Sequence, residues 1–155
     1  MKKVLVINGP SLNMLGIREV DIYGKATYKD LIKLIKEEAK GANIKVKCVQ
    51  SNYEGKIIDY IQKAYKKFDG IIINPGAYSH YSYAIRDAIT SINIPTIEVH
   101  ISDVLNREHF RANLVISDVC AKTISGKGLN SYLEALKEFE WKRYTNLKII
   151  SCFID

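Results

Sequence analysis

Three consecutive isoleucines, Ile71–Ile73, limit how this chain can fold more than any other segment. A run of β-branched residues without polar alternation predicts a strand buried on both faces, which is typical of the centre of a parallel sheet. Asn74, Pro75 and Gly76 then end the strand, and a polar and aromatic segment follows at 78–82. Ligands of open α/β sheets bind beyond the carboxyl ends of the strands, so this segment is a candidate site.

Strand patterns and amphipathic helix patterns alternate along the chain, which predicts βαβ units and a parallel sheet. The first helix is predicted to extend to Lys40, with Thr27 as its N-cap and Asp30 as the acidic capping partner. We therefore expect a flavodoxin-like three-layer α/β sandwich with a five-stranded parallel sheet in the order 2-1-3-4-5. The predicted strands are Lys3–Ile7, Ile44–Val49, Ile71–Ile73, Pro95–His100 and Cys120–Ser125.

The length and the cysteines favour a single domain that needs no disulfide. With 155 residues the chain can bury one core, and we expect one domain over 1–140 and a C-terminal extension over 141–155. The three cysteines are far apart and lack metal-ligand spacing, which predicts reduced thiols, no metal site and a cytoplasmic location. No apolar run approaches the roughly 20 residues of a membrane span, and the run after the first lysines is too short for a signal peptide.

The chain carries a net charge of +6, but its lysines are spread over predicted helix surfaces and loops. Nucleic-acid-binding proteins concentrate such charge in a patch or stripe, so we expect no nucleic-acid partner. Two interpretations of the excess stay open: a solvated basic surface, or a site suited to an anionic substrate. Gly126 and Gly128 lack the spacing of a phosphate-binding loop, so a nucleotide or flavin binder is a hypothesis based on fold alone.

Several polar groups follow the predicted strands and should meet at one edge of the sheet. Asn74 and His80 follow the third strand, His100 ends the fourth, and Arg111 lies in the next loop. The segment Gly9–Gly24, between the first strand and the first helix, has no helical pattern. A structureless segment of this length in a compact domain is usually functional, so we expect a lid over this edge.

Two groups near this edge are candidates for proton transfer. Glu98 lies two residues before His100 on the same face of its strand, so its carboxylate can fix the histidine tautomer. The alternative is an inert pair at a strand end, and the pattern alone leaves both interpretations open. Tyr23 ends the lid segment, and the Arg18 guanidinium five residues earlier favours its phenolate form. A tyrosine in a loop is more often a packing residue, so this candidate also keeps its alternative.

Several short sequence motifs follow one another in a defined order between Lys3 and Phe139. The first contains Asn-Gly-Pro at 8–10, a second motif at 12–16, and then Arg18-Glu19 and Tyr23-Gly24. Later blocks lie at 50–55, 73–87 and 97–111. Together they resemble the type II 3-dehydroquinate dehydratases. The resemblance implies elimination of water from 3-dehydroquinate to give 3-dehydroshikimate, without a cofactor, in the shikimate pathway that leads to the aromatic amino acids.

The resemblance also implies the catalytic roles. Tyr23 would be the base, assisted by Arg18, and His100, oriented by Glu98, would protonate the departing hydroxyl. Ser11 stands where the family has an asparagine that helps to position the water stabilising the enolate. A serine hydroxyl can still donate a hydrogen bond but has a shorter reach, so we expect reduced turnover.

The substrate-binding residues and the assembly follow from the same resemblance. The backbone amides of Ile101 and Ser102 would bind the substrate carboxylate. Asp87 would reach the site of a neighbouring subunit, because the family resembled here assembles as dodecamers built from trimers. We therefore expect a homo-oligomer whose small-molecule substrate is 3-dehydroquinate. Its hydroxyl groups would be held by Asn74, His80 and Arg111.

Departures from the family pattern leave a second hypothesis open, a catalytically impaired small-molecule binding module with the same fold. Besides Ser11, four such positions lie in or near the loop after the fourth predicted strand, and they put substrate affinity and subunit packing in question. The four loop departures are Asp103, Leu105, His109 and Leu114.

The extension 141–155 is outside the resemblance, and its apolar run at 147–154 predicts packing on its own subunit or across an interface. The alternative for the extension is a frayed terminus.

Overall fold

A five-stranded, all-parallel sheet forms the centre of the protein in the computed structural model, which describes residues 1–141. Its order is β2-β1-β3-β4-β5, which confirms the predicted flavodoxin-like topology. Each strand lies within a few residues of its predicted bounds because strand patterns are local and strongly apolar. The strands are β1 (Lys2–Asn8), β2 (Ile44–Gln50), β3 (Gly70–Asn74), β4 (Thr96–Val99) and β5 (Lys122–Ile124).

Helices cover both faces of this sheet. The Thr27 side chain accepts a hydrogen bond from the Asp30 backbone amide, and the Asp30 carboxylate accepts one from the Thr27 amide at 2.8 Å, which confirms the predicted capping pair. The reciprocal bonds satisfy two amides that the first helical turn leaves unpaired. The helices are α1 (Val20–Tyr23), α2 (Tyr28–Gly41), α3 (Glu54–Ala64), α4 (Tyr83–Ile92) and α5 (Asn130–Trp141).

Alternate residues of the central strands feed two apolar layers. In β3, Ile72 packs in the layer that contains residues of α2 and α5, whereas Ile71 and Ile73 pack in the layer of α3 and α4. All three isoleucines are fully buried, which confirms that this strand is covered on both faces. Full burial of such a side chain contributes roughly 1.5–3 kcal/mol, so these residues anchor the strand whose end leads into the site.

The segment Gly9–Gly24 differs from its prediction, because it contains a 3₁₀ turn at Leu12–Met14 and the short helix α1. Such short turns do not repeat often enough to leave a helical period in the sequence. Leu12 and Leu15 are buried in the core, so the first half of the segment is anchored to the sheet. Its second half, which ends at Tyr23, is mostly solvent-exposed.

The C-terminal extension predicted at 141–155 lies outside the described residues apart from its first one. Both the domain boundary at 140 and the packing of the extension therefore stay predictions.

Candidate active site

A cavity of about 160 Å³ opens beyond the carboxyl ends of β1, β3 and β4, at the predicted edge of the sheet. Most of the residues predicted from the sequence line it, and they come from four separate segments of the chain. Glu98 and Asp87 are the two that do not line the cavity. The predicted residues in its wall are Ser11, Arg18, Tyr23, Asn74, His80, His100, Ile101, Ser102 and Arg111.

The floor of the cavity forms where β1 and β3 end side by side. Asn8 pairs with Asn74 in the sheet register, and the Gly9 amide donates to the Asn74 carbonyl at 2.7 Å. A Cβ on Gly9 would lie 2.6 Å from the backbone of Pro75, so only glycine allows this close approach of the two chains. The turn after β1 is thereby pressed against the turn after β3.

The Asn74 side chain is buried and already engaged on both sides. Its Oδ1 accepts from the Gly76 backbone amide at 3.2 Å, and its Nδ2 donates to the Tyr132 hydroxyl at 3.0 Å. Tyr132 in turn donates to Asn8 Oδ1 at 2.6 Å. One N–H of the Asn74 amide therefore stays available to the cavity.

His100 lies directly after β4 and forms a buried pair with Glu98. The Nε2 atom of His100 is 2.8 Å from Glu98 Oε1, and the two side chains are 5% and 0% exposed. The His100 backbone amide also donates to the Ile124 carbonyl of β5 at 2.9 Å, so both the backbone and the ring are fixed. Because Nε2 faces Glu98, the other ring nitrogen, Nδ1, is the one that can exchange a proton with a ligand.

Three hydroxyl groups also point at the Glu98 carboxylate. Ser79 donates to Oε1 at 3.1 Å and Thr123 to Oε2 at 3.3 Å, and Ser117 donates to Oε2 as well. Burial on its own would raise the pKa of Glu98, but the hydrogen bond and charge of His100 and the hydroxyls of Ser117 and Ser79 hold that pKa below its ordinary value. Glu98 is therefore an anion at neutral pH, and its carboxylate holds the His100 ring in place.

Sequence patterns did not predict these hydroxyl partners. Ser79 belongs to the predicted polar segment, but Ser117 and Thr123 lie 19 and 25 residues beyond Glu98 in the chain. Thr123 is paired with Glu98 in the register of β4 and β5, so the predicted strand order brings their strands together, although the sequence does not give this register. Ser117 lies in a short turn before β5, and only the folded arrangement brings it to the carboxylate.

On the opposite wall the Tyr23 hydroxyl lies between two arginines. Arg107 Nη1 donates to it at 2.7 Å and Arg18 Nη2 at 3.1 Å. The Arg18 guanidinium also lies over the Tyr23 ring, 4.4 Å from its centroid. The hydroxyl oxygen therefore accepts hydrogen bonds from two cationic groups at the edge of the cavity.

Arg107 was not among the predicted site residues, although it stands in one of the blocks on which the resemblance rests. It is 84 residues from Tyr23 in the sequence, in the loop after β4, and its side chain is 11% exposed. Arg107 was therefore visible within a sequence motif, but no periodicity in the sequence predicts that a loop residue contacts a hydroxyl 84 positions away.

Two glutamates connect the arginines across the mouth of the cavity. Glu19 is 2.7 Å from Arg18 and 3.6 Å from Arg107, and Glu108 is 2.7 Å from Arg111 and 3.5 Å from Arg107. The pair of Glu19 with Arg107 joins the segment that carries Tyr23 to the loop after β4, and the Glu108 pairs lie within that loop. Glu19 has a φ of 35°, a left-handed conformation that is uncommon for a residue other than glycine.

His80 forms the wall beside Arg111. Its Nδ1 lies 2.9 Å from the Asn113 carbonyl and its ring meets Phe110 edge to face, with centroids 5.7 Å apart. A carbonyl is only an acceptor, so Nδ1 carries the hydrogen and Nε2 is an acceptor in the neutral ring. Burial lowers the pKa of His80, so the neutral ring prevails at neutral pH.

The segment after β4 is fixed by the turn that follows β5. The Ile101 and Ser102 carbonyls accept hydrogen bonds from the amides of Gly128 and Gly126, both at 3.1 Å. Both residues line the cavity. Their peptide groups are therefore held in place before any ligand binds.

Ser11 and Asp87 complete the predicted set. Ser11 lies in the cavity wall with a φ of 65°, and its amide donates to Asn52 Oδ1 at 3.0 Å. The left-handed region favours glycine and asparagine over serine, so the backbone here is strained. The Asp87 side chain on α4 is 80% exposed and lies outside the cavity, with its Oδ1 atom 4.0 Å from Nη1 of Arg86.

No helix within residues 1–141 combines the length and apolar character needed to cross a membrane. Over the same residues, no group of three or more His, Cys, Asp or Glu side chains is placed to hold a metal ion.

The sequence profile of the class II dehydroquinases matches residues 2–140 of the chain. The chain belongs to the class II dehydroquinase family. It is 59% identical over 137 residues to a protein of Caldicellulosiruptor bescii named 3-dehydroquinate dehydratase, and this match covers 88% of the chain and 94% of the relative. A relative of the same name from Clostridium acetobutylicum is 56% identical over 131 residues, covering 84% of the chain and 91% of that protein.

Solved structures agree with this family membership. The crystal structure of type II dehydroquinase from Butyrivibrio crossotus has a TM-score of 0.87 and 56% identity, with 88% of this chain and 96% of that chain covered. The corresponding structure from Propionibacterium acnes has a TM-score of 0.89 at 39% identity, covering 92% of this chain and 98% of that chain. The family suggested by the sequence blocks is therefore confirmed.

Proposed function

We propose that this protein is a 3-dehydroquinate dehydratase that eliminates water from 3-dehydroquinate to give 3-dehydroshikimate. The observation that carries the proposal is the pairing of two proton-transfer groups in one cavity. Tyr23 is held by two guanidinium groups on one wall, and His100 is held by the buried Glu98 on another. Membership of the class II dehydroquinase family supports the same substrate.

In the proposed reaction the Tyr23 phenolate takes a proton from the carbon next to the ketone, and an enolate forms. The enolate then collapses and expels the hydroxyl group, which takes a proton from the His100 imidazolium and leaves as water. Glu98 holds the His100 ring in position for this transfer, and the guanidinium groups of Arg18 and Arg107 donate hydrogen bonds to the Tyr23 oxygen. Ser11 would assist the water that stabilises the enolate.

The remaining cavity residues suit a polyhydroxylated, anionic substrate. Asn74 offers an N–H, His80 an acceptor nitrogen and Arg111 a cation, which together can bind hydroxyl groups. The Ser102 amide shares its peptide group with the Ile101 carbonyl, which Gly128 holds in place, and the Ile101 amide directly precedes this group, so both can bind the carboxylate at a small entropic cost. This scheme needs no cofactor and no metal.

We also propose a homo-oligomer, a dodecamer built from trimers, in which Asp87 reaches the neighbouring subunit's cavity. Exposed aromatic side chains support this contact, because Tyr81 and Tyr83, 60% and 65% exposed, lie in the same part of the chain. Large exposed aromatics close together are typical of interaction surfaces. Sedimentation at several protein concentrations measures the assembly, and a monomer at every concentration would refute this part.

The direct test is a turnover assay. Purified protein given 3-dehydroquinate should develop the ultraviolet absorbance of the conjugated product. Tyr23→Phe removes the base and should abolish turnover while the circular dichroism spectrum stays unchanged. Tyr60→Phe, which removes a hydroxyl outside the cavity, should keep wild-type activity. A wild-type protein that is inert at every pH and substrate concentration would refute the proposal.

The strained Ser11 favours a second candidate, an impaired binding module that keeps the cavity. Its short side chain replaces the longer amide expected from the family pattern, which weakens the support for the enolate. Calorimetry separates the two candidates, since the module would bind 3-dehydroshikimate without converting 3-dehydroquinate.

A further inference from the structure

A chain of buried hydrogen bonds lies beneath the cavity and joins three elements of the fold. It runs from Asn74 at the end of β3, through Tyr132 on α5, to Asn8 at the end of β1. Asn8 and Tyr132 are 0% exposed and Asn74 is 3% exposed. Of the three, only Asn74 lines the cavity, so the other two can act on a ligand only through it.

The direction of every bond in this chain follows from one backbone group. The Gly76 amide is a donor, so the Asn74 atom that faces it at 3.2 Å must be the oxygen. The other side of the Asn74 amide, which faces Tyr132, must then be the nitrogen, and the Tyr132 hydroxyl accepts from it. The hydroxyl proton consequently goes to Asn8, whose facing atom must be its oxygen.

The Tyr132 hydroxyl stays protonated at neutral pH. Complete burial raises the pKa of this phenol well above its ordinary value. A hydroxyl that donates to Asn8 has its lone pairs left for Asn74, so it is a permanent acceptor at that position.

A rotated Asn74 amide would lose both of its internal bonds. Its NH₂ group would face the Gly76 amide, which is also a donor, and its oxygen would face the lone pairs of Tyr132. Leaving such groups unpaired in a buried position is unfavourable. The chain therefore favours the amide orientation in which an N–H, rather than an oxygen, is directed away from Tyr132 and remains for a ligand.

We infer that Tyr132 is a positioning residue for substrate binding, because its buried hydroxyl fixes the amide orientation in which Asn74 presents a hydrogen-bond donor to the cavity. This inference rests on the proposed function of Asn74 as a substrate ligand. It adds a residue outside the cavity to the determinants of affinity, and it explains why a polar hydroxyl occupies the apolar face of α5.

The test is Tyr132→Phe, which keeps the ring and removes only the hydroxyl. Without the Tyr132 acceptor, Asn74 keeps only the Gly76 bond to hold its amide orientation, so KM for 3-dehydroquinate should rise about 3- to 10-fold, the equivalent of one neutral hydrogen bond. The value of kcat should change less than twofold, since the bond serves binding in both the ground state and the transition state. Tyr60→Phe is the matched control for loss of a tyrosine hydroxyl and should leave KM unchanged.

A double-mutant cycle separates positioning from a general loss of stability. In an Asn74→Ala background Tyr132→Phe should have no further effect on KM, because its route to the substrate is already gone. Equal effects of Tyr132→Phe in both backgrounds, or an unchanged KM in the single variant, would overturn the inference.

Two further measurements keep the inference testable in every case. If Tyr132→Phe does not fold, Asn8→Ala releases the same hydroxyl from its acceptor and should raise KM in the same direction, whereas an unchanged KM would refute the inference. If the wild type shows no turnover, the proposed function fails on its own. The dissociation constant for 3-dehydroshikimate, measured by calorimetry, then replaces KM in the same comparison.

Discussion

Replacing Arg107 with glutamine tests whether the base depends on the second guanidinium. The Arg107 Nη1 atom is 2.7 Å from the Tyr23 hydroxyl, closer than Arg18 at 3.1 Å, and its side chain is 11% exposed against 26% for Arg18. Arg107→Gln removes the charge and shortens the side chain beyond the reach of the hydroxyl. The phenolate then keeps only the more exposed of its two cations.

The expected size of the effect follows from this geometry. A hydrogen bond to a charged group contributes about 1.5–3 kcal/mol, and the low exposure of Arg107 places it well within that range. If Tyr23 is a phenolate chiefly on the way to the transition state, loss of the Arg107 hydrogen bond should lower kcat/KM by about 10- to 150-fold. Arg18→Gln should cost less, because that bond is longer and more open to solvent.

Initial rates of product absorbance at 25 °C measure both variants against the wild type. Lys122→Gln, which breaks the remote surface pair with Glu138, is the matched control for loss of one positive charge and should keep full activity. Arg107→Lys should be intermediate, since it keeps the charge without the planar fork of donors. An Arg107→Gln enzyme within threefold of the wild type would refute the assignment of this residue to the base.

Three further predictions concern stability and the state of individual groups. Ser11→Asn should raise the melting temperature by about 2–4 °C, since asparagine tolerates a left-handed φ better, and should not lower turnover. Gly70→Ala would place a Cβ 2.1 Å from the Phe139 ring and should destabilise by about 1–3 kcal/mol in thermal unfolding, whereas Gly55→Ala, with open space around its Cβ, should not. The pKa of Glu98 is lowered from 4.5, so its stabilisation is present above pH 4.5 and is lost as the pH falls through the lower folded value. Glu98→Gln should therefore flatten the pH dependence of the unfolding free energy below pH 4.5, and an equally steep curve would contradict this.

The sheet was predictable because its signals are local and periodic. Three adjacent isoleucines before Asn-Pro-Gly predicted a short buried strand, and Thr27 with Asp30 marked the start of α2 within the sequence itself. The positions of Asn74 and His100 followed from strand ends meeting at one edge, which needs no knowledge of side-chain packing. These parts of the site depend on topology alone.

The remaining parts depend on contacts between distant segments. Nothing in the pattern around Ser117 relates it to the Glu98 carboxylate, and the 3.6-residue period that places Tyr132 on the core face of α5 says nothing of its hydroxyl. Arg107 belongs to a loop without regular structure, so its approach to Tyr23 could not be derived from spacing. The sequence thus predicted most of the side chains that line the cavity and missed several of the groups that contact them.

The two proton-transfer groups are held by different kinds of interaction. The proposed acid, His100, is paired with Glu98, a fully buried carboxylate that accepts hydrogen bonds from four other residues. Because the pair of His100 and Glu98 is buried, ions in solution screen it weakly. The proposed base, Tyr23, is held by two arginines, and both arginines pair with Glu19, which is 46% exposed at the mouth of the cavity. Exposed ion pairs are individually weak and are screened by salt. The fold therefore holds the proposed acid within the sheet, whereas the proposed base lies on a segment attached both by packing of Tyr23 against the core and by ion pairs at the mouth of the cavity. The negative charge of the proposed substrate can compete for the arginines of those ion pairs.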